Sequence, residues 1–161
     1  EQAARGPVVN RLKVLNWYGG RGGHVGFSPV MPARGAAVVA QFQRTRARYD
    51  EHGIDHNCTF YLNGRTVTNI NLMLINLDDP DHTARTGRLF DALVADAAAQ
   101  GYAEYRTHLD YMDAVAASFD FNDHALRRFN ERVKDALDPN GILAPGRNGI
   151  WPAAWRDQRQ K

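Results

Sequence analysis

Between His24 and His108 the apolar residues switch back and forth between a strand period and a helical period, and the order of those switches leaves few folds open. Residues 24–30, after the glycine-dense run at 19–23, alternate as a short strand. Over 34–53, Val38, Val39, Phe42 and Tyr49 recur at helical spacing, and Gly53 stands where a helix stop belongs. Residues 57–62 alternate again, with Cys58, Phe60 and Leu62 set against Thr59 and Tyr61. Asn63-Gly64 then reads as a hairpin turn and 66–75 as its partner strand. Asp79 caps a second helix with Pro80 at its first position. Leu89, Phe90, Leu93, Val94 and Ala97 form the buried stripe of that helix, and Gly101 ends it. The order strand, helix, strand, strand, helix, strand is that of a ferredoxin-like α+β unit, an antiparallel sheet with helices on one face.

A mainly helical segment follows. Residues 110–119 and 123–137 read as helices, the second with Leu126, Phe129, Val133 and Leu137 on one face, and Asp138-Pro139-Asn140-Gly141 is a strong turn. The closing stretch has no regular period but carries Pro145, Gly146, Gly149, Trp151, Pro152 and Trp155. A tail so rich in aromatic residues and turn formers is expected to pack against another surface rather than lie free in water.

Charge and composition exclude several functions. The 161 residues carry 20 Lys and Arg against 18 Asp and Glu, a net charge of +2, without the basic excess of a nucleic-acid binder. At 43% hydrophobic and 24% charged the composition is that of a globular domain, with no apolar run long enough to span a membrane. Cys58 stands alone, so no internal disulfide and no thiolate zinc cluster can form. His52, His56, His82, His108 and His124 show no ligand spacing, and no metal is expected. Arg44, Arg46 and Arg48 read as an anion-binding stripe or a solvated helix face, and the small net charge favours the second. The glycine run is not a dinucleotide fingerprint, because Val25 stands where the third glycine is required. The first residue is Glu1, with neither an initiator methionine nor a signal peptide behind it, so the chain reads as incomplete at its start.

Two places carry chemistry. Adjacent Tyr105 and Arg106, in a short segment between elements, can both hydrogen-bond one anionic oxygen, the guanidinium supplying fixed charge and the phenol a donor. They read equally as a surface arginine beside a half-buried tyrosine. His24 is either a loop histidine or a group over which a flat ring can lie close, since Gly22, Gly23 and Gly26 around it have no side chains.

Glu104-Tyr105-Arg106-Thr107-His108-Leu109, the run from Asp138-Pro139-Asn140-Gly141 to Pro145-Gly146-Arg147, and Gly149-Ile150-Trp151-Pro152 together resemble the C-terminal portion of the vanillyl-alcohol oxidase and 4-cresol dehydrogenase family of flavoproteins. Residues 24–30 resemble the strand on which members of that family carry a histidine bonded to FAD. The resemblance implies a longer enzyme, in which 1–102 is part of the cap over the flavin and 103–161 is a segment that returns to the FAD-binding domain. That domain would be the surface the tail requires.

It further implies that Tyr105 and Arg106 hold a substrate's phenolic oxygen as phenolate, that His24 is bonded to the flavin 8α carbon, and that Arg147 lies near the flavin. Gly26, Thr59 and Ile70 would line the substrate cavity, Gly26 leaving room where some relatives carry a bulky aromatic. Thr59 and Ile70 read equally as ordinary strand residues, and Arg147 as a surface charge. The reaction implied is hydride transfer from the benzylic carbon of a para-substituted phenol, a 4-alkylphenol or vanillyl-type alcohol, to flavin N5 by way of a quinone methide. Ionising a phenol of pKa near 10 at pH 7 takes about 4 kcal/mol. The expected partners are the phenolic substrate, the FAD-binding domain, further copies of the same chain in a homodimer or larger homo-oligomer, and, for a dehydrogenase rather than an oxidase, a cytochrome subunit. A cytoplasmic location is expected. The alternative from another class is a flavin-free ferredoxin-like binding module, against which the Tyr-Arg and Asp-Pro-Asn-Gly strings count.

Overall fold

A single unbroken strand is expected over 24–30, but the chain forms two short ones there. The structure, a computed structural model, describes residues 11–159; the loop-like opening at 1–7 lies outside the described residues. In order, the elements are β1 (Gly22–Phe27), β2 (Pro29–Pro32), α1 (Gly35–His52), β3 (Cys58–Asn63), β4 (Thr66–Asn76), α2 (Pro80–Ala98), β5 (Ala103–Glu104), α3 (Met112–Ala117), α4 (Phe121–Leu137) and α5 (Ala153–Arg159). Short 3-10 segments lie at Arg11–Asn16, Leu109–Tyr111 and Arg147–Gly149.

β1 and β2 run antiparallel to β4 in one continuous register, with Gly22 opposite Asn76, Phe27 opposite Asn71 and Val30 opposite Thr68. They are one strand interrupted at Ser28. Pro29 has no N–H to give the ladder, and the Ser28 N–H donates instead to Glu104 Oε1 at 2.8 Å. β3 pairs with the other edge of β4, and β5 pairs with β2 through Pro29–Glu104 and Val30–Ala103. The sheet therefore reads β3, β4, β1 with β2, β5, antiparallel throughout, which is the ferredoxin-like order. The hairpin turn falls one position later than expected. Asn63 pairs with Thr66, so Gly64 (φ 60°) and Arg65 make the turn.

Helices α1 and α2 pack on one face of this sheet. Val25, Phe27, Met73 and Ile75 point from the strands into Leu89, Phe90, Leu93 and Ala97 of α2, with Phe27 and Phe90 edge to face at 6.0 Å. The α2 cap is as expected, the Asp79 carboxylate accepting from the His82 N–H at 3.1 Å. α1 ends at Gly53 in the left-handed conformation (φ 64°). Its buried face keeps the expected Tyr49, with Val38 and Phe42 half-buried, but is otherwise polar. Gln41, Thr45 and Tyr49 are buried, whereas Val39 is 55% exposed. Part of this polar set is satisfied from within, although the Tyr49 hydroxyl and the Asn69 amide nitrogen have no partner among the described residues. Gln41 Nε2 donates to Thr45 Oγ1 at 3.0 Å, and on β4 the buried Asn71 donates to the Phe27 carbonyl at 3.1 Å and meets His56 at 3.0 Å. Arg48, read as solvated, makes a bidentate pair with Asp96 of α2 at 2.8 and 3.0 Å and so ties the two helices together.

The C-terminal segment folds partly on itself. Asp138 accepts from the backbone of Ile142 and Leu143 at 2.9 Å each and pairs with Lys134 at 2.6 Å; that ammonium holds its carboxyl below the usual carboxylate range. Trp151 Nε1 donates to Asp113 at 2.7 Å, Gly149 lies against Ala116 of α3, and Arg156 pairs with Asp135 of α4. The tail thus finds part of its packing surface within its own chain. The apolar face of α4 does not: Leu126, Phe129, Val133 and Leu137 are all exposed. The first turn of α4 is also irregular, with Asn122, Asp123 and His124 in the left-handed region (φ 47–53°).

Candidate active site

Strand alternation sorts residues between the helix-covered face of the sheet and the opposite one. His24 and Gly26 of β1, Ile70 and Leu72 of β4, and Thr59 and Tyr61 of β3 share the opposite face, with His24 across from Leu74, Gly26 across from Leu72 and Thr59 across from Ile70. His24 is exposed there. The glycines around it do different jobs. At Gly22 a Cβ would collide with the Leu15 carbonyl, so this glycine lets the 3-10 segment at Arg11–Asn16 lie on the strand. At Gly26 nothing lies within 4 Å of where a Cβ would stand, and the space over the sheet is open.

The Tyr105 N–H donates to the Ser28 carbonyl at 3.3 Å, carrying the β2–β5 pairing one step beyond Glu104. Tyr105 therefore stands beside Ser28 on the same open face as Gly26. Three strand spacings separate it from Thr59 at the other side, about 14 Å, which accommodates a substituted benzene ring. The structure brings Tyr105, Gly26, Ile70, Thr59 and His24 onto one surface.

Tyr105 and Arg106 also line a cleft of about 460 Å³ between the sheet and the C-terminal segment, together with Glu104, Arg127, Asn130 and Arg147. Arg106 arrives from the end of β5, Arg127 from α4, and Arg147 from the 3-10 turn at Arg147–Gly149. Three arginines and one tyrosine thus line one hollow, residue types able to bind an oxyanion. His24, Gly26, Thr59 and Ile70 do not line this cleft. Tyr105 belongs to both the cleft and the sheet face, and is 58% exposed.

Sequence reasoning passed over two residues here. Arg127 is one of several arginines on a polar helix, and only the packing of α4 selects it. In the sequence Glu104 is only the start of the string that carries Tyr105. Its side chain is 7% exposed, Oε1 accepts from Ser28, and Oε2 has no partner among the described residues. Burial pushes its carboxyl up to about 8, although the Ser28 hydrogen bond and the Arg106 charge pull the other way. The available signal was a glutamate inside a strand, at a position whose alternation points it to the helix-covered face. Among the described residues no group of three or more His, Cys, Asp or Glu side chains is placed to hold a metal ion, and no helix is long and apolar enough to cross a membrane.

Residues 4–148 match the family described as FAD linked oxidases, C-terminal domain. The chain belongs to that family. The FAD-linked oxidase C-terminal domain seen here is 33% identical over 144 residues to the 4-cresol dehydrogenase [hydroxylating] flavoprotein subunit of Pseudomonas putida, an alignment covering 89% of this chain and 27% of that protein. Its fold is similar to that of a 4-ethylphenol oxidase from Gulosibacter chungangensis in complex with isoeugenol (TM-score 0.85, 39% identity, 89% of this chain and 27% of that one). It is also similar to p-cresol methylhydroxylase with substrate bound (TM-score 0.80, 33% identity, 86% of this chain and 26% of that one). The chain spans about a quarter of the length of each. These likenesses bear out the resemblance drawn from the Tyr105 and Asp138 strings, and the ferredoxin-like sheet with it.

Proposed function

We propose that this domain holds the phenolic end of a para-substituted phenol while hydride leaves the substrate's benzylic carbon, as part of an FAD-dependent oxidoreductase. The observation that carries this reading is the convergence of Tyr105, Arg106 and Arg147 on one cleft that adjoins the open sheet face. Arg106 and the Tyr105 hydroxyl bind the phenolic oxygen and favour loss of its proton, offsetting the roughly 4 kcal/mol that ionisation at neutral pH requires. The phenolate pushes electron density to the para position, which eases hydride departure. Gly26, Ile70 and Thr59 bound the ring and its substituent, and the space over Gly26 admits a substituent larger than methyl. When bound, FAD supplies the hydride acceptor.

The open sheet face suits a flavin, because His24 is exposed on it and Gly26, two residues on, leaves room for a flat ring. His24 is the residue to form the covalent bond, and Arg147 the one to face the flavin from the cleft side. Replacing His24 by Ala in the full-length protein should abolish covalent flavin: in-gel fluorescence after denaturation is expected in the wild type and absent in the variant. Fluorescence retained by the variant would place the bond elsewhere.

Residues 1–102 belong by this reading to the cap over the flavin, and 103–161 to the segment that packs on the FAD-binding domain. The exposed apolar face of α4 supports the second assignment. Of the two electron acceptors, oxygen is favoured by the likeness to a 4-ethylphenol oxidase at 39% identity, against 33% for the 4-cresol dehydrogenase subunit. The full-length protein is expected to produce hydrogen peroxide stoichiometrically with 4-ethylphenol under air. Substrate turnover only with an added cytochrome or dye points to the dehydrogenase instead, and no turnover of any 4-alkylphenol with either acceptor removes the proposal.

A further inference from the structure

We propose that Glu104 is a positioning residue for the Tyr105–Arg106 pair: its carboxyl, bonded to the Ser28 amide where the strand breaks, pins the end of β5 to the sheet while withholding a counter-charge from Arg106. The inference rests on the phenol-binding reading above and adds a residue to it.

The geometry gives Glu104 both tasks. β5 is only two residues long, and its pairing with β2 is continued past Glu104 by the single bond from the Tyr105 N–H to the Ser28 carbonyl at 3.3 Å. The Ser28 N–H, freed from the ladder at the break, is taken by Glu104 Oε1 at 2.8 Å. Ser28 is thus held from both sides by consecutive residues of the segment that carries the clamp. Such a bond in a buried site orients its partner more firmly than a solvated one.

The second task concerns charge. A carboxylate beside Arg106 would compete with a phenolate for the same guanidinium and repel it across the cleft. Arg106 forms no ion pair with Glu104 or with any other acid among the described residues, and Glu104 Oε2 is buried with no partner. The groups around Glu104 are Arg106 on its own segment, Arg127 of α4 and Arg147 in the cleft, and the Tyr49 phenol of α1, which is buried and feels the Glu104 charge. Burial outweighs the cation and raises the carboxyl to about 8, so it is neutral at pH 7 and ionises above about 8. Arg106 therefore keeps its charge available to the substrate through the neutral range and loses it to Glu104 at alkaline pH.

The test is made on the flavin-loaded full-length protein with 4-chlorophenol, a phenol without a benzylic hydrogen, its binding read from the flavin absorbance. Glu104→Gln keeps an oxygen that accepts from Ser28 and never ionises, so it should bind as the wild type does at about pH 7. The ratio of wild-type to E104Q dissociation constants should rise about tenfold between about pH 7 and about pH 9, because each unit above the carboxyl's pKa removes a further factor of ten of the neutral form. Taking the ratio cancels the ligand's own ionisation. Glu104→Ala, lacking the acceptor, should bind at least about tenfold more weakly than E104Q at every pH, and than the wild type at about pH 7, with glutamine restoring affinity at neutrality.

A pH-independent ratio overturns the charge role, and an E104A variant that binds like the wild type overturns the pinning role. Should E104A not fold, the E104Q ratio still decides. An infrared difference between wild type and E104Q provides a readout that needs no ligand: the carbonyl band of a protonated carboxyl at about pH 6 is expected, and its absence overturns the inference. A wild type that binds 4-chlorophenol at no pH sinks the phenol reading, and the infrared band then decides the state of Glu104 by itself.

Discussion

Replacing Arg106 by alanine is expected to lower kcat/KM for a 4-alkylphenol by about 10²- to 10³-fold, with the loss mainly in kcat. Holding the substrate as phenolate at neutral pH takes about 4 kcal/mol, and a guanidinium in a partly closed cleft is the largest single contributor available. The Tyr105 hydroxyl remains in the variant, as do Arg127 and Arg147 across the cleft, which is why the loss stops short of the full ionisation energy. Arg106→Lys should recover part of the rate, since an ammonium supplies the charge without the planar fork. A ligand whose oxygen is capped as a methyl ether distinguishes charge from shape: its affinity should be unchanged in R106A, because it has no proton to lose. A kcat/KM within about threefold of the wild type, or equal losses for the phenol and its ether, would exclude Arg106 from ionising the substrate.

How far the sequence carries depends on the distance between the residues that decide each feature. The hairpin, the α2 stripe and both long helix ends are written in adjacent residues: Gly64 at the turn, Asp79-Pro80 at one helix start, Gly53 at one helix stop. The break at Ser28 is not, because it needs a proline beside it and a carboxylate from Glu104, which lies 76 residues on. The polar part of the α1 face is hidden for the same reason, although Tyr49 shows in the period. Gln41 and Thr45 look like surface residues until the fold sets α1 over β4, where Asn69 and Asn71 are themselves buried. Periodicity ranks residues by polarity, and a buried polar seam linked by the Gln41–Thr45, Asn71–Asn69 and His56–Asn71 hydrogen bonds defeats that ranking. In the cleft, Tyr105, Arg106 and Arg147 could be named from strings that resemble a family, whereas Arg127 and Glu104 required packing between elements far apart in the chain.

The apolar face of α4 is the place where pattern and structure disagree most, and its disagreement is informative. Leu126, Phe129, Val133 and Leu137 have the spacing of a buried stripe, yet Phe129 is 64% exposed and Leu137 76%. Ile142 and Leu143, just beyond the helix, are exposed as well. If the FAD-binding domain covers it, Phe129→Asp should reduce flavin loading of the full-length protein by about 100-fold or more. Losing the ring's burial costs about 2–3 kcal/mol, and burying an unpaired carboxylate adds several more. Val39→Asp on α1 is the control: Val39 is comparably exposed on a different helix, with Gly35 and Ala36 a turn before it and only the half-buried Phe42 as an apolar neighbour a turn after, and its replacement should leave flavin content within error. Phe129→Leu should likewise be mild, because it keeps an apolar group in place. The flavin-to-protein absorbance ratio and the thermal midpoint of each purified variant measure the outcome. Equal flavin content in F129D and V39D would mean that no domain closes over α4, and the assignment of 103–161 to a segment packed on the FAD-binding domain would fall with it.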